Sequence, residues 1–393
     1  MTQNSGNNLI YLNNAATSFP KPQEVITAVT TYLTSVPINP ARAGFEVKDE
    51  DVISICRQKL AAFFKAEHPH QIIFTSGATE SLNLAINGLD LDNDHVITTA
   101  IEHNSVLRPL KTLERQNKIS LTIVDCDTHG WVDPEDIARH LRPNTKAVIV
   151  NHCSNVTGAI LDLKSIADIT HANDSLFIVD CSQSAGTLPI DVTGSGIDVM
   201  AFTGHKSLFG LPGIGGVYIR EGLKLRPLKV GGTGVKSILL YQPEELPLYY
   251  ESGTLNLPGI ISLQAGLEFI ANTGLAEIDG KKRADLRQLT AALQEIPKVI
   301  VYGSDNIDNR SSVFCFNIEG VSPADVGYIL ESSFGILVRA GLHCAPLIHQ
   351  AMGAYPHGSV RVSPSYFTTA GELDYFIEAI KEISANTTYY ESY

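Results

Sequence analysis

Two strand-like runs decide the reading of this chain. The first is Phe177-Ile178-Val179-Asp180-Cys181-Ser182-Gln183-Ser184-Ala185-Gly186. The second, Val199-Met200-Ala201-Phe202-Thr203-Gly204-His205-Lys206, leads into a glycine-rich run to Gly216. Each is a short apolar strand that ends in polar residues. Asp180 closes the first and Lys206 lies just past the second. An acid at the carboxyl end of one strand and a lysine beyond a later one are what a pyridoxal phosphate (PLP) site needs. The lysine supplies the amine that holds the cofactor, and the carboxylate keeps the pyridine nitrogen protonated so that the ring acts as an electron sink. An Asp here is costly to bury unless it meets a cation or donors, and capping a following helix is the alternative of equal weight.

Outward from this stretch, apolar runs recur at Ile72-Thr75, Val96-Thr99, Leu121-Val124, Ala147-Val150, Phe177-Val179, Val199-Phe202 and Gly216-Ile219. Most are continuous rather than alternating, as in strands covered on both faces. Helical segments fall between them at Glu80-Ile86, Ser105-Gln116, Pro134-His140 and Leu163-Ala172. The pattern predicts an α/β fold whose large domain holds a mostly parallel seven-stranded sheet. Ahead of it, Tyr11-Leu12 reads as a short strand, with helices at Gln23-Leu33 and Arg57-Phe64. After an irregular Pro/Tyr-rich excursion around Gln242-Tyr250, a long helix near Pro258 opens a smaller α+β domain. Its elements are helix Lys281-Glu295, strands Val299-Tyr302 and Ser312-Asn317, helix Pro323-Ser332, strands Gly335-Arg339 and Val360-Ser363, and helix Ala370-Ile383. The expected division is a large domain over 16–258 and a small one over 259–393, with 1–15 packing on the latter.

The 393 residues are 44% hydrophobic and 18% charged, which is ordinary for a soluble globular protein. A net charge of -13 without a basic cluster argues against nucleic acid or an anionic membrane as partner. The polar start Met1–Asn8 lacks a signal-peptide pattern, and no apolar run is long enough to span a bilayer. The six cysteines are scattered without metal-ligand spacing, so no metal is expected; most read as buried thiols in a reducing, cytoplasmic compartment.

Several further stretches carry chemistry. Thr75-Ser76-Gly77-Ala78-Thr79-Glu80-Ser81 follows a strand and opens a helix, where amide groups and the Thr79 hydroxyl suit a phosphate; a plain helix start is the alternative. His103, in Glu102-His103-Asn104-Ser105, is placed to stack on a pyridine ring and to shuttle protons as a catalytic residue, although most lone histidines are structural. Asn155, in Asn151-His152-Cys153-Ser154-Asn155, is placed to donate to a cofactor or substrate oxygen, or else ends a strand in an Asx-type turn. Gln183 is placed to bond the ring hydroxyl, and Thr203 and His205 to add phosphate donors. Cys344, in Val338-Arg339-Ala340-Gly341-Leu342-His343-Cys344-Ala345-Pro346, has a His and an Arg nearby to favour its thiolate. Arg361 is either a salt-bridge anchor or a clamp for a substrate carboxylate.

In order and spacing, these motifs together with Tyr11-Leu12-Asn13-Asn14-Ala15-Ala16 and Glu251-Ser252-Gly253-Thr254 resemble the class V aminotransferase family of PLP enzymes. The likeness is to its cysteine desulfurase and selenocysteine lyase branch, of the short-loop group II kind, and covers nearly the whole chain. It implies the type I PLP-dependent transferase fold and PLP as cofactor. Lys206 is then the lysine that carries PLP, Asp180 the partner of its pyridinium, His103 the ring stacked on it and Gln183 the contact to its hydroxyl. Ala78, Thr79, Thr203 and His205 hold the phosphate, and Thr254 reaches the phosphate of a partner subunit, which implies a homodimer. Asn155, Arg361 and Arg339 bind the amino-acid substrate. Cys344 takes the sulfur as a persulfide, which members of this branch often pass to a separate acceptor protein.

The sequence departs from the branch at Phe45, where many desulfurases have a His, and at Val362-Ser363-Pro364-Ser365. The expected reaction converts L-cysteine or L-selenocysteine to L-alanine. Three rivals are a C–S β-lyase giving pyruvate and ammonia, a class V transaminase, and a non-catalytic scaffold on the same fold.

Overall fold

A computed structural model describes residues 9–35, 51–311 and 313–386. The departure at Phe45 lies outside the described residues, as does Ser312, where a strand was expected to begin.

The N-terminal part runs β1 (Ile10–Tyr11), α1 (Gln23–Thr34) and α2 (Val52–Phe64). Strands and helices then alternate as β2 (Ile72–Thr75), α3 (Ala78–Gly88), β3 (Asp94–Thr99), α4 (Asn104–Arg115), β4 (Ile119–Val124), α5 (Pro134–His140), β5 (Thr145–Asn151), α6 (Leu163–His171), β6 (Leu176–Asp180), β7 (Val199–Thr203) and β8 (Gly215–Ile219). The seven strands β2 to β8 form one sheet in the order β2-β8-β7-β6-β5-β3-β4. All neighbours are parallel except β8, which runs antiparallel to both β2 and β7. The seven apolar runs of the sequence are these seven strands. Central β6 and β7 are buried almost throughout because helices cover both faces. Phe64, Phe177 and Phe202 fill one side of the sheet, and Leu82, Leu110 and Ile149 fill the other.

The chain continues through α7 (Leu257–Thr273), α8 (Leu275–Gln294), β9 (Val299–Tyr302), β10 (Phe314–Ile318), α9 (Pro323–Phe334), β11 (Ile336–Leu337), β12 (Arg339–Gly341), α10 (Pro346–Ala351), β13 (Ser359–Val362) and α11 (Ala370–Ala385). A four-stranded antiparallel sheet, β12-β13-β10-β9, carries this region. Its core takes in Ile10 and Leu12 from the N-terminus, because β1 pairs in parallel with β11. The chain passes between cores within α8, where Ile278 packs under the large sheet and Leu286 in the C-terminal core.

Local chemistry explains these boundaries. The Ser322 hydroxyl caps the Asp325 amide, Pro323 takes the first turn of α9, and Gly335 closes the helix at φ 67. Helix α2 starts five residues before the expected Arg57 because Asp51 caps Ser54 at 2.8 Å. The expected strand Gly335-Arg339 is split about Val338, since β11 pairs with β1 and β12 with β13.

One buried ion pair ties the excursion to the sheet. Arg57 meets both oxygens of Glu251, at 2.8 and 2.9 Å, and the Phe74 amide donates to Glu251 Oε1 at 2.7 Å. Replacing Glu251 with alanine leaves a buried guanidinium without its anion. The expected loss is about 3–5 kcal/mol of stability, read as a lower urea midpoint.

Candidate active site

The carboxyl ends of β3, β5, β6 and β7 face one cavity of about 340 Å³, as an open α/β sheet predicts. The ends of β3, β5, β6 and β7 deliver His103, Asn155, Asp180 and Lys206 respectively, and the C-terminal sheet delivers Arg339 and Arg361. Ala78, Thr79, Gln183, Thr203 and His205 complete the set. Thr254 lies instead in a separate groove with Arg57 and Glu251.

Helix α3 starts at the cavity without a side-chain cap, leaving its first-turn amides at Ala78 and Thr79 for another acceptor. Glycine lets this turn sit so close to the sheet. A Cβ on Gly215 would lie 2.6 Å from Gly77 Cα and 2.6 Å from the Phe202 carbonyl oxygen. Beside the turn, His205 Nδ1 is buried without a partner, and removal from water holds its ring neutral with a pKa lowered to about 4.

Asp180 is 5% exposed, and its Oδ1 accepts the Ser182 amide at 2.9 Å. The turn-capping contact is therefore made by a side chain that also lines the cavity. Lys206 has its pKa lowered to about 8, chiefly by loss of water, with Arg361 and Arg339 adding to the fall and Asp180 opposing it. His103 caps α4: its Nδ1 accepts the Ser105 amide at 3.1 Å, so the ring proton sits on Nε2. Desolvation lowers its pKa to about 4 against the pull of Asp180, so the ring is neutral at pH 7. Gln183 Nε2 donates to the Ala15 carbonyl at 3.0 Å.

On the opposite wall, Arg361 is 1% exposed and pairs with no carboxylate among the described residues. It donates to the Asn155 carbonyl at 3.1 Å and to Asn13 Oδ1 at 3.3 Å, while its Nε is unpartnered. Asn155 Nδ2 donates to the His343 carbonyl at 2.8 Å, and its Oδ1 has no partner. Asn155 thus holds the cysteine loop as well as facing the cavity. Cys344 is half-buried, and Arg339, which lines the cavity, donates from Nη2 to its Sγ at 3.4 Å. The Asn104 amide holds the Cys344 carbonyl at 2.7 Å, and His343 and Cys344 both adopt left-handed backbone, φ 49 and 59.

The expectation that a neighbouring His favours the thiolate is corrected. His343 is 2% exposed, its Nε2 donates to the Ser359 carbonyl at 2.9 Å, and desolvation holds its pKa well below the ordinary value. Arg339 is the cation at the sulfur. Cys56, Cys153, Cys181 and Cys315 are buried, and Cys126 is half-buried with its pKa raised to about 12.

The structure adds residues that the motifs did not single out. The His205 carbonyl accepts from the Ser18 amide at 3.0 Å, Thr17 Oγ1 at 3.1 Å and Lys21 Nζ at 3.0 Å, which pins the turn carrying Lys206. Ser363 Oγ accepts the Ala15 amide at 2.8 Å. Residues 13–21 therefore strap the Arg361 side to the Lys206 side.

Lys282 is buried among hydroxyls, 2.9 Å from Thr187 Oγ1 and 2.9 Å from Ser207 Oγ, beside the turn of Lys206. Its place on the apolar stripe of Ile278, Leu286 and Leu289 is a signal the sequence does carry. Desolvation lowers its pKa from 10.5 to about 8. The unfolded chain therefore holds more protons between pH 8 and 10.5, and this cost of folding is full below pH 8 and relieved as pH rises. Lys282→Met is expected to narrow its stability difference from the wild type across that window, by up to about 1.4 kcal/mol per pH unit, in thermal unfolding of the cofactor-free protein.

Residues 10–376 match the family model for class-V aminotransferases. The chain belongs to that family. It is 32% identical over 383 residues to a probable cysteine desulfurase of Methanothermobacter thermautotrophicus, covering 95% of this chain and 94% of that one. A probable cysteine desulfurase of Halalkalibacterium halodurans is 34% identical over 351 residues, 87% of this chain and 85% of that one. The solved apo structure of a cysteine desulfurase from Thermococcus onnurineus NA1 superposes with a TM-score of 0.88 at 31% identity, covering 96% of this chain and 95% of that one. The class-V family depends on PLP and has the type I fold, and this chain is an enzyme of that kind.

The cavity fits that cofactor. Lys206, Arg339 and Arg361 outnumber Asp180 and Glu80, whose carboxylate is already paired with Lys229, and line it together with an uncapped helix start. In a chain of net charge -13, such a local cationic excess suits an anionic phosphate and a substrate carboxylate. The unpartnered His205 Nδ1 and Arg361 Nε are polar groups that such ligands would satisfy. Among the described residues, no helix is long and apolar enough to cross a membrane.

Proposed function

We propose that this chain is a cysteine desulfurase that converts L-cysteine to L-alanine and leaves the sulfur as a persulfide on Cys344. The observation that carries the reading is Arg339, which lines the same cavity as Lys206 and Asp180 and donates to the Cys344 sulfur. Neither a transaminase nor a β-lyase has use for a thiol held in this way.

The amide groups of Ala78 and Thr79, the Thr79 and Thr203 hydroxyls and His205 would hold the phosphate. Asp180 would face the pyridinium, Gln183 the ring hydroxyl and His103 the ring face, and Lys206 would carry the cofactor. When bound, PLP supplies a sink for the electron pair left at the substrate's Cα. Arg361 binds the substrate carboxylate with a desolvated guanidinium, and Asn155 and Arg339 orient the rest. Lys206 Nζ, with its pKa lowered to about 8, takes a proton from Cα and returns one to the carbon that loses sulfur. His103 keeps its own proton at Nε2. Cys344 gives up its thiol proton and its Sγ forms the S–S bond as the carbon–sulfur bond breaks; one proton goes to the carbon that loses sulfur and a second returns to Cα, which completes alanine.

Selenocysteine is a second substrate of the same site, since its selenium leaves carbon more readily than sulfur. A homodimer fits the groove that holds Thr254, where Thr254 would reach the partner's phosphate. It fits equally the exposed apolar residues Ile238, Leu240 and Tyr241 of the adjoining excursion, at 90%, 95% and 89% exposure. A sulfur-acceptor protein would meet Cys344, and the compartment is the cytoplasm. Product analysis with cysteine tests the reading: alanine with enzyme-bound persulfide supports it, and pyruvate with ammonia would overturn it.

A further inference from the structure

Glu102 directly precedes His103 and is fully buried at the carboxyl end of β3. Its Oε1 accepts the Thr99 hydroxyl at 2.7 Å and the Asn151 amide at 2.9 Å. Its Oε2 is buried with no partner. Among the described residues no Lys, Arg or His forms an ion pair with it. The charged group that acts on it is the carboxylate of Asp180, on β6, where Asp180 and Asn151 are register partners across adjacent strands. An ionised carboxylate needs donors on both oxygens or a cation, and this one has neither on Oε2. Asn151, whose backbone amide bonds Glu102, carries in its Oδ1 a second buried acceptor without a donor. Two bare acceptors on residues already joined by a hydrogen bond lack one thing, a proton.

We propose that Glu102 is a positioning residue held as a neutral carboxylic acid, which fixes the β3–β5 strand ends next to Asp180 without setting a second negative charge behind it. The proposal rests on the reading of Asp180 as the partner of the cofactor nitrogen. A second anion behind it would share the cofactor's pyridinium between two carboxylates and push one of them to take up a proton. In the same direction, burial raises the Glu102 pKa to about 8, with the charge of Asp180 adding to the rise.

The test compares wild type, E102Q and E102A. Glutamine has the shape of the neutral acid and keeps an acceptor for Thr99 and Asn151. E102Q is therefore expected to retain PLP within about threefold of wild type, and E102A, which strands two buried donors, to retain it about tenfold less or worse. Infrared difference spectra of the cofactor-free wild type against E102Q should show the carbonyl band of a protonated carboxylic acid at neutral pH. Thermal unfolding supplies a further readout. The folded state keeps a proton that the unfolded chain loses above its ordinary carboxyl pKa, so wild type should lose Tm relative to E102Q between pH 5 and 8, by about 2 °C or more. Absence of the acid band, parallel pH curves, or an E102Q that is as defective as E102A would overturn the proposal. If E102A does not fold, the infrared and pH comparisons still decide. They need neither cofactor nor substrate, so their failure is separate from failure of the desulfurase reading, which product analysis detects.

Discussion

Lys206→Ala is expected to abolish alanine formation from cysteine, by about 10⁴-fold or more. Lys206 is the one lysine among the residues lining the cavity, and it stands between Asp180 and the two arginines of the opposite wall. Two functions end with it. The covalent hold on the cofactor is lost, and so is the amine that moves protons at the substrate carbons; positioned acid–base groups alone contribute about 10²–10⁴. Folding should survive, since the change removes a desolvated cation rather than a packing residue. The measurement is single-turnover alanine release, together with the visible absorbance band of bound cofactor and its stability to dialysis. Activity above about one per cent of wild type would assign the amine to another residue.

Cys344→Ala should lower alanine formation from cysteine by about 10²–10³-fold while leaving cofactor binding unchanged. The reason is geometric. Cys344 is not among the residues lining the cavity; Arg339 lines it and holds the sulfur from one side. The left-handed backbone at His343 and Cys344 is locked by Asn155 and Asn104 through the two carbonyls. Removing Sγ therefore deletes the sulfur acceptor and leaves the cofactor cradle intact. Loss with selenocysteine should be smaller, because selenium leaves without the attack. Undiminished turnover of cysteine to pyruvate in this variant would assign the chain to the β-lyases.

The two predictions differ in what made them readable. Asp180, Thr203 and Lys206 stand at the ends of apolar runs that could only be strands covered on both faces, and each run proved to be a strand of the large sheet. Helix starts were equally plain where a cap and a proline mark them, as at Ser322-Pro323. Less readable was the role of polar residues whose partners lie far along the chain. Glu102 meets Asn151, Lys21 meets His205, and Arg57 meets Glu251, each across a distance in sequence that local pattern does not span. The same holds for His343, which looks like an activator of its neighbour until its ring is seen to turn to Ser359.

By itself the sequence determined the alternation of buried strands and helices, the carboxyl-end placement of Asp180 and Lys206, and through the order of its motifs the family and the cofactor. Such features follow from hydrophobic period and strand direction, which are local. Tertiary structure alone decided which charges survive burial. Among the described residues it set Arg361 without a carboxylate, lowered Lys206 and Lys282 to about 8, and left Glu102 buried within the field of Asp180 with one bare oxygen. Desolvation and pairing depend on what surrounds a group in space, and no window of sequence contains that neighbourhood.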